Sequence, residues 1–218
     1  MTAAKVDRLI DELVAEAAPV TPLASPGYRA FAWLGTIALI GAVAIYAFAD
    51  LRSLLDRYTD REGQMVLEMA AMLATGVIAI AAAFFLSIPG ASRRWLAAPL
   101  PPFAAWLILS GMGCYAHLVE RGAGGLEVGE SGECLLFIVT TSALLAAPLF
   151  WRLSRARPID PLPVASLGGL GIAALSAFAL AFFHPFTVTF LDLAMHLAAI
   201  LIVVAVMGML NRRTLASS

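Results

Sequence analysis

The sequence predicts an all-α, polytopic membrane protein with six transmembrane helices and a short amphipathic helix ahead of them. Six apolar stretches fill most of the chain, and each is close to the roughly 20 residues that a helix needs to cross ~30 Å of hydrocarbon. Composition agrees: 61% of residues are hydrophobic and 13% are charged, with a mean hydropathy of +0.89. The predicted spans are Tyr28–Ala49, Met65–Ile88, Pro99–Leu118, Cys134–Trp151, Leu162–Phe183 and Leu191–Leu210.

Ahead of the spans, Ala4–Ala18 is predicted to form an amphipathic helix that Pro19 and Pro22 end. Its apolar residues recur at the spacing of one face of a 3.6-residue helix. The chain therefore divides into residues 1–27, an N-terminal helix and linker, and residues 28–211, a six-helix transmembrane domain. The apolar stripe of the N-terminal helix consists of Val6, Leu9, Ile10, Leu13 and Val14.

A helix this short is marginal alone in water, so the stripe needs a surface to cover it. Lipid is disfavoured because the polar face carries four acids against two bases, and the apolar face has no aromatic residue. The remaining surfaces are its own membrane domain and a groove on a protein partner. We favour a partner, contacted by the five stripe residues.

Lysine and arginine predict the orientation of the spans. Ten of them lie in the segments on the same side as the N-terminus, and four lie in the loops on the other side. The positive-inside rule therefore places both termini in the cytoplasm.

Four soft-ligand residues fall near the predicted outer face: Cys114, His117, Cys134 and His184. Cys114 and His117 share a helix face, and thiolates with imidazoles suit zinc, copper or cadmium. One interpretation is a metal- or oxidant-sensing cluster; the other is that the cysteines pack as small apolar residues and the histidines lie at the interface. A Cys114–Cys134 disulfide in an oxidising periplasm is a third alternative.

Span six contains Asp192 and His196, four residues apart, which predicts an internal hydrogen bond or ion pair. Ionisable residues in a span are costly and often functional, although an interfacial carboxylate and a buried, bonded histidine are the simpler interpretation. Glu68 opens span two and is expected at the interface. Glycines such as Gly111, Gly113 and Gly168–Gly171 predict close helix packing.

No motif of an enzyme is present: the chain has no nucleophile paired with a base, no HExxH and no phosphate-binding loop. No cofactor is expected beyond a soft metal ion. Two functional interpretations are open at this point: a small transporter or channel, with Asp192, His196 and His117 as its polar pathway, and a membrane redox or haem protein.

Several short motifs resemble the NrsF-type anti-sigma factors, a family of bacterial six-span proteins. The resemblance covers nearly the whole chain. It rests on the segments Val6–Leu13 and Ala17–Leu23, on Gly129-Glu130-Ser131 and Cys134-Leu135, and on the end of the last outer loop with His196.

The resemblance implies an inner-membrane anti-sigma factor whose cytoplasmic N-terminal helix contacts an extracytoplasmic-function sigma factor, and whose periplasmic side senses stress. It implies no direct nucleic-acid contact and no small-molecule substrate. One departure matters: many relatives carry a cysteine before a proline where this chain has His184 before Pro185. A thiol pair between that position and Cys134 therefore cannot form here.

The charge asymmetry gives a topology test. Reporter fusions at Gly27, Gly125 and Ser218 should read cytoplasmic, periplasmic and cytoplasmic. A periplasmic Ser218 would refute the six-span arrangement.

Overall fold

The computed structural model describes residues 3–16, 22–50, 52, 63–121, 128–183 and 190–216, and these contain helices and no strand. A 3-10 turn, Arg93–Leu96, also precedes the fourth helix. The helices are α1 (Ala3–Glu16), α2 (Pro26–Phe48), α3 (Gln64–Leu86), α4 (Leu100–Arg121), α5 (Val128–Ser154), α6 (Pro161–Phe183) and α7 (Phe190–Ala216).

Helices α2 to α7 are each long and apolar enough to cross a membrane, which confirms the predicted all-α fold with six spans. The helix α1 lies within two residues of its predicted bounds. Two spans are longer than predicted: α5 begins at Val128 instead of Cys134, and α7 continues to Ala216 instead of ending at Leu210. The added turns are polar, and hydropathy detects only the apolar part of a helix.

The centre of the bundle is α6, which packs against α3, α5 and α7. Of its most apolar stretch 67% is buried, against 6% for α2, which lies at the periphery and contacts mainly α3. Helix α4 packs on the other side of α3. The first span is therefore held by few neighbours.

Glycines allow the central helices to approach closely. A Cβ on Gly171 of α6 would lie 2.7 Å from Ile80 Cγ1 and 3.0 Å from the Ile80 backbone nitrogen on α3. A Cβ on Gly169 would lie 3.0 Å from Val204 Cα on α7. The predicted role of these glycines is confirmed, but Gly111 has no neighbour within 4 Å at its Cβ position and needs another explanation.

Two apolar clusters fill the bundle. One, around Trp33, Phe84 and Ile172, lies toward the end at which α2 begins, here named the proximal end. The other, around Trp106 and Ile138, extends to the opposite, distal end. Two of the buried serines form a pair: Ser142 Oγ of α5 donates to Ser176 Oγ of α6 at 3.1 Å.

The close approach of α3 and α6 can be tested at Gly171. Gly171→Ala should lower the thermal unfolding temperature by about 3 °C or more, because overpacking costs roughly 1–3 kcal/mol and the Ile80 backbone cannot move aside cheaply. The measurement is intrinsic fluorescence of the detergent-solubilised protein.

Gly35→Ala is the matched control, since a Cβ there meets nothing within 4 Å. Alanine is the better helix former, so this variant should be as stable as the wild type. Equal unfolding temperatures for both variants would contradict the proposed backbone contact.

Candidate partner-binding helix and buried polar groups

The apolar stripe of α1 is open to solvent along its whole length. Leu13 is 60% exposed and Val14 69% exposed. Every described side chain of α1, from Lys5 to Glu16, is exposed. On the polar face, Arg8 Nε lies 3.5 Å from Glu12 Oε1, an exposed i,i+4 pair of small energetic value. The structure thus forms the predicted amphipathic helix and leaves its apolar face available.

Residues Pro22–Ser25 lead into the first span, and Ser25 caps α2. Its Oγ accepts a hydrogen bond from the Tyr28 backbone nitrogen at 3.4 Å, which satisfies one of the N–H groups left open at a helix start. Residues 17–21, including Pro19, lie outside the described part of the chain.

One turn into α2, Arg29 joins three helices at the proximal end. Its Nη2 donates to the backbone carbonyl of Arg152 on α5 at 2.6 Å, and its Nη1 donates to Ser87 Oγ at 3.5 Å. The guanidinium carbon lies 5.2 Å from the centre of the Phe84 ring on α3, a cation–π distance.

The proximal loops pack on the same end. Trp95 stacks on Phe85 with ring centres 4.3 Å apart, and Arg93 Nη2 lies 3.9 Å from Asp160 Oδ2 across two loops. Exposed arginines follow the ends of α3 and α5, namely Arg93, Arg94, Arg155 and Arg157. This end is basic, as the charge count predicts.

Both cysteines are buried, Cys114 on α4 and Cys134 on α5, and no disulfide joins them. Cys134 belongs to the apolar cluster around Trp106 and Ile138, to which α3, α4, α5, α6 and α7 all contribute. The His117 side chain and all of His184 lie outside the described residues. Among the groups that are described, no set of three His, Cys, Asp or Glu residues is placed to hold a metal ion. The four-residue sensing cluster therefore stays a prediction.

The sequence predicts Glu68 at the membrane–water interface, but its side chain lies inside the bundle and is only 5% exposed. Gln64 Nε2 donates to Glu68 Oε1 at 3.0 Å and to the Leu109 backbone carbonyl of α4 at 3.1 Å. Gly113 makes room for this contact, because a Cβ there would lie 2.7 Å from Gln64 Nε2. A polar contact thus joins the start of α3 to α4.

Asp192 and His196 are both buried in the first two turns of α7. His196 Nδ1 lies 2.6 Å from the backbone carbonyl oxygen of Asp192. This bond joins the His196 ring to the main chain of Asp192, whereas the sequence predicts a pair of the two side chains, and that pair stays a prediction. Since a carbonyl only accepts, the bond requires the proton on Nδ1. Asp192 sits in the first turn of α7, where the helix dipole favours a negative charge.

Sequence reasoning overlooked Arg29 and Gln64 as structural residues. Both carried a signal: each is a polar residue at the edge of an otherwise apolar span, where such a side chain must find a partner.

Comparison with known proteins gives one match. A family model, NrsF, described as "Negative regulator of sigma F", matches residues 13–216, which is nearly the whole chain. No curated protein and no solved structure matches. The match takes in Leu13 and Val14 but begins after Val6, Leu9 and Ile10.

Proposed function

This chain belongs to the NrsF family of negative regulators of sigma F, and we propose that it acts as a membrane anti-sigma factor that sequesters an extracytoplasmic-function sigma factor. The contact residues of the proposal are Val6, Leu9, Ile10, Leu13 and Val14 on α1. Sequestration requires that the sigma factor's surface be covered, so no catalytic residue and no small-molecule substrate is part of the proposal.

The observation that carries the proposal is the exposure of the α1 stripe. A 14-residue helix gains little stability from its own hydrogen bonds. Four of its five stripe residues, Leu9, Ile10, Leu13 and Val14, are between 47% and 69% exposed. A partner groove that buried them would gain up to ~1.5–3 kcal/mol for each side chain.

The same arithmetic bounds the interface. Association and ordering cost roughly 4–15 kcal/mol, which offsets much of that gain. We therefore expect the sigma factor to touch more than the stripe, with residues of the linker or of the basic proximal loops at the rim of the contact.

Orientation forms a second part of the proposal. We propose that the bilayer is the bacterial inner membrane and that the proximal end, with α1, faces the cytoplasm. The exposed arginines of the proximal loops support this orientation, because cytoplasmic loops are enriched in Lys and Arg. A cytoplasmic sigma factor would then meet α1 directly.

The stripe can be tested by Leu9→Asp combined with Leu13→Asp. Each buried anchor is worth roughly 2 kcal/mol at a binding hot spot, so the double variant should bind the sigma factor at least about 100-fold more weakly and lose repression. The measurements are affinity for the purified full-length protein in nanodiscs and expression of a sigma-dependent reporter.

Lys5→Gln combined with Arg8→Gln is the matched control, since it changes the net charge by the same two units on the polar face. Repression should persist in that variant. If the Leu9/Leu13 variant represses normally at normal membrane abundance, α1 is not the binding element.

For release, we propose a distal sensor built from Cys114, His117, Cys134 and His184, responding to a soft metal or a thiol oxidant. Because both thiols are buried, a modification of either one would disturb the packing of the surrounding helices. Cys134 is buried in an apolar cluster, so a metal ion or an oxidised sulfur there would require neighbouring side chains to move, because protein interiors hold few voids. In this proposal, reaction at Cys134 shifts α5 relative to the spans that share the cluster.

Cys134→Ser tests this part. The variant should keep resting repression but reduce induction by cadmium chloride or diamide by about three-fold or more, since a hydroxyl is a poor soft-metal ligand. Induction is read from the same reporter as a dose response, with Cys114→Ser measured beside it. Unchanged dose responses in both variants would mean that the cysteines only pack.

A further inference from the structure

The C-terminal end of α5 depends on a donor from another helix. The last four carbonyls of a helix have no intrahelical N–H partner. Three of the four at this end are satisfied locally. Trp151 O accepts from Ser154 Oγ, Leu153 O from the Ala156 nitrogen, and Ser154 O from the Arg157 nitrogen. The fourth, Arg152 O, accepts from Arg29 Nη2 of α2 at 2.6 Å.

The positive charge of Arg29 favours a contact with the C-terminal end of a neighbouring helix and not a place at the start of its own helix. A cation in the first turn of a helix is disfavoured by that helix's own dipole. Here the guanidinium is directed to the C-terminal ends of two antiparallel neighbours, α5 at Arg152 and α3 at Ser87, where the dipole is negative. A charge-assisted bond of this length is among the stronger hydrogen bonds.

Few other contacts hold the start of α2. Only Ala30 and Trp33 of this helix are buried, and α2 is the least enclosed of the six spans. Gly27 lies near Phe85: a Cβ at Gly27 would be 3.8 Å from Phe85 Cζ. The polar contacts of Arg29 are therefore the directional part of the attachment of α2 at its proximal end.

We propose that Arg29 is a positioning residue. It sets the point and direction at which the α1 linker leaves the bundle, by tying the first turn of α2 to the last turn of α5 and the end of α3. Cys134 and Arg152 lie on the same helix, α5, with Pro148 between them, so one element connects the proposed distal sensor to Arg29. The importance of that position for regulation rests on the proposed function of α1; the positioning itself does not.

The experiment measures the attachment directly. Nitroxide spin labels at Ala24 and Ser154 report the distance between the linker and the end of α5. The distance is measured by pulsed electron paramagnetic resonance on the full chain in nanodiscs. The native cysteines are removed by Cys114→Ala and Cys134→Ala, so that only the chosen positions are labelled. A second pair at Leu96 and Leu162 reports the distance between the loop after α3 and the start of α6, neither of which Arg29 contacts.

In Arg29→Gln, the Ala24–Ser154 distribution should become at least about two-fold broader, because only apolar packing at Ala30 and Trp33 then holds the start of α2. The Leu96–Leu162 distribution should not change, whereas the thermal unfolding temperature should fall by about 2 °C or more, because Arg152 O loses its donor. Arg94→Gln removes an exposed arginine from the same end and should leave both distributions as in the wild type.

Arg29→Lys provides a variant that keeps the charge if Arg29→Gln does not fold. A single ammonium group cannot reproduce the planar fork that reaches both Arg152 O and Ser87 Oγ, so this variant should also broaden the linker distance, by less. An unchanged Ala24–Ser154 distribution in both variants overturns the proposal. Equal broadening of both label pairs also overturns it, since that would show a general loosening of the bundle.

The measurement involves no sigma factor. If the Leu9/Leu13 variant still represses, the proposed function fails while the broadened distance stands. If the distance is unchanged while that variant loses repression, the positioning role of Arg29 fails and the proposed function stands.

Discussion

The close contact between α3 and α6 is the interaction on which the rest of the bundle depends. Inside a bilayer, lipid tails are as apolar as leucine, so helices associate through van der Waals contact and polar bonds and not through release of water. Gly76 and Gly171 bring the two backbones together, with the Cβ position of Gly76 3.2 Å from the Gly171 carbonyl oxygen. Of the remaining spans, α5 and α7 pack against α6, and α2 and α4 pack mainly against α3.

The polar contacts add direction to that packing. At the distal end, Gln64 links α3 to a main-chain carbonyl of α4; at the proximal end, Arg29 links α2 to a main-chain carbonyl of α5. In both places a side chain completes the hydrogen bonding of a backbone group in a neighbouring helix. Such bonds are sensitive to the relative position of two helices, whereas apolar contact tolerates sliding. The peripheral spans are thus held in register by a few polar residues.

The sequence was sufficient for the fold class, since length and hydropathy alone identify six spans and a 3.6-residue period identifies α1. It was not sufficient for the partners of individual polar residues. Glu68 looked interfacial because it opens an apolar run, but Gly113 on another helix creates the space that buries it. His196 lies one turn after Asp192, yet its ring nitrogen meets the main-chain oxygen. These outcomes depend on which helices are neighbours, and a linear pattern does not contain that information.

Exposed leucines have opposite meanings in the two N-terminal helices, α1 and α2. Leu39 on α2 is 68% exposed and Leu13 on α1 is 60% exposed, so exposure alone does not separate them. Leu39 belongs to a helix that is apolar on all sides and long enough to cross a bilayer, where lipid covers it at no cost. Leu13 belongs to a short helix whose other face is charged, which places that helix in contact with water. Because water does not cover a leucine stripe without cost, the stripe of the short helix gains free energy from any apolar surface that covers it.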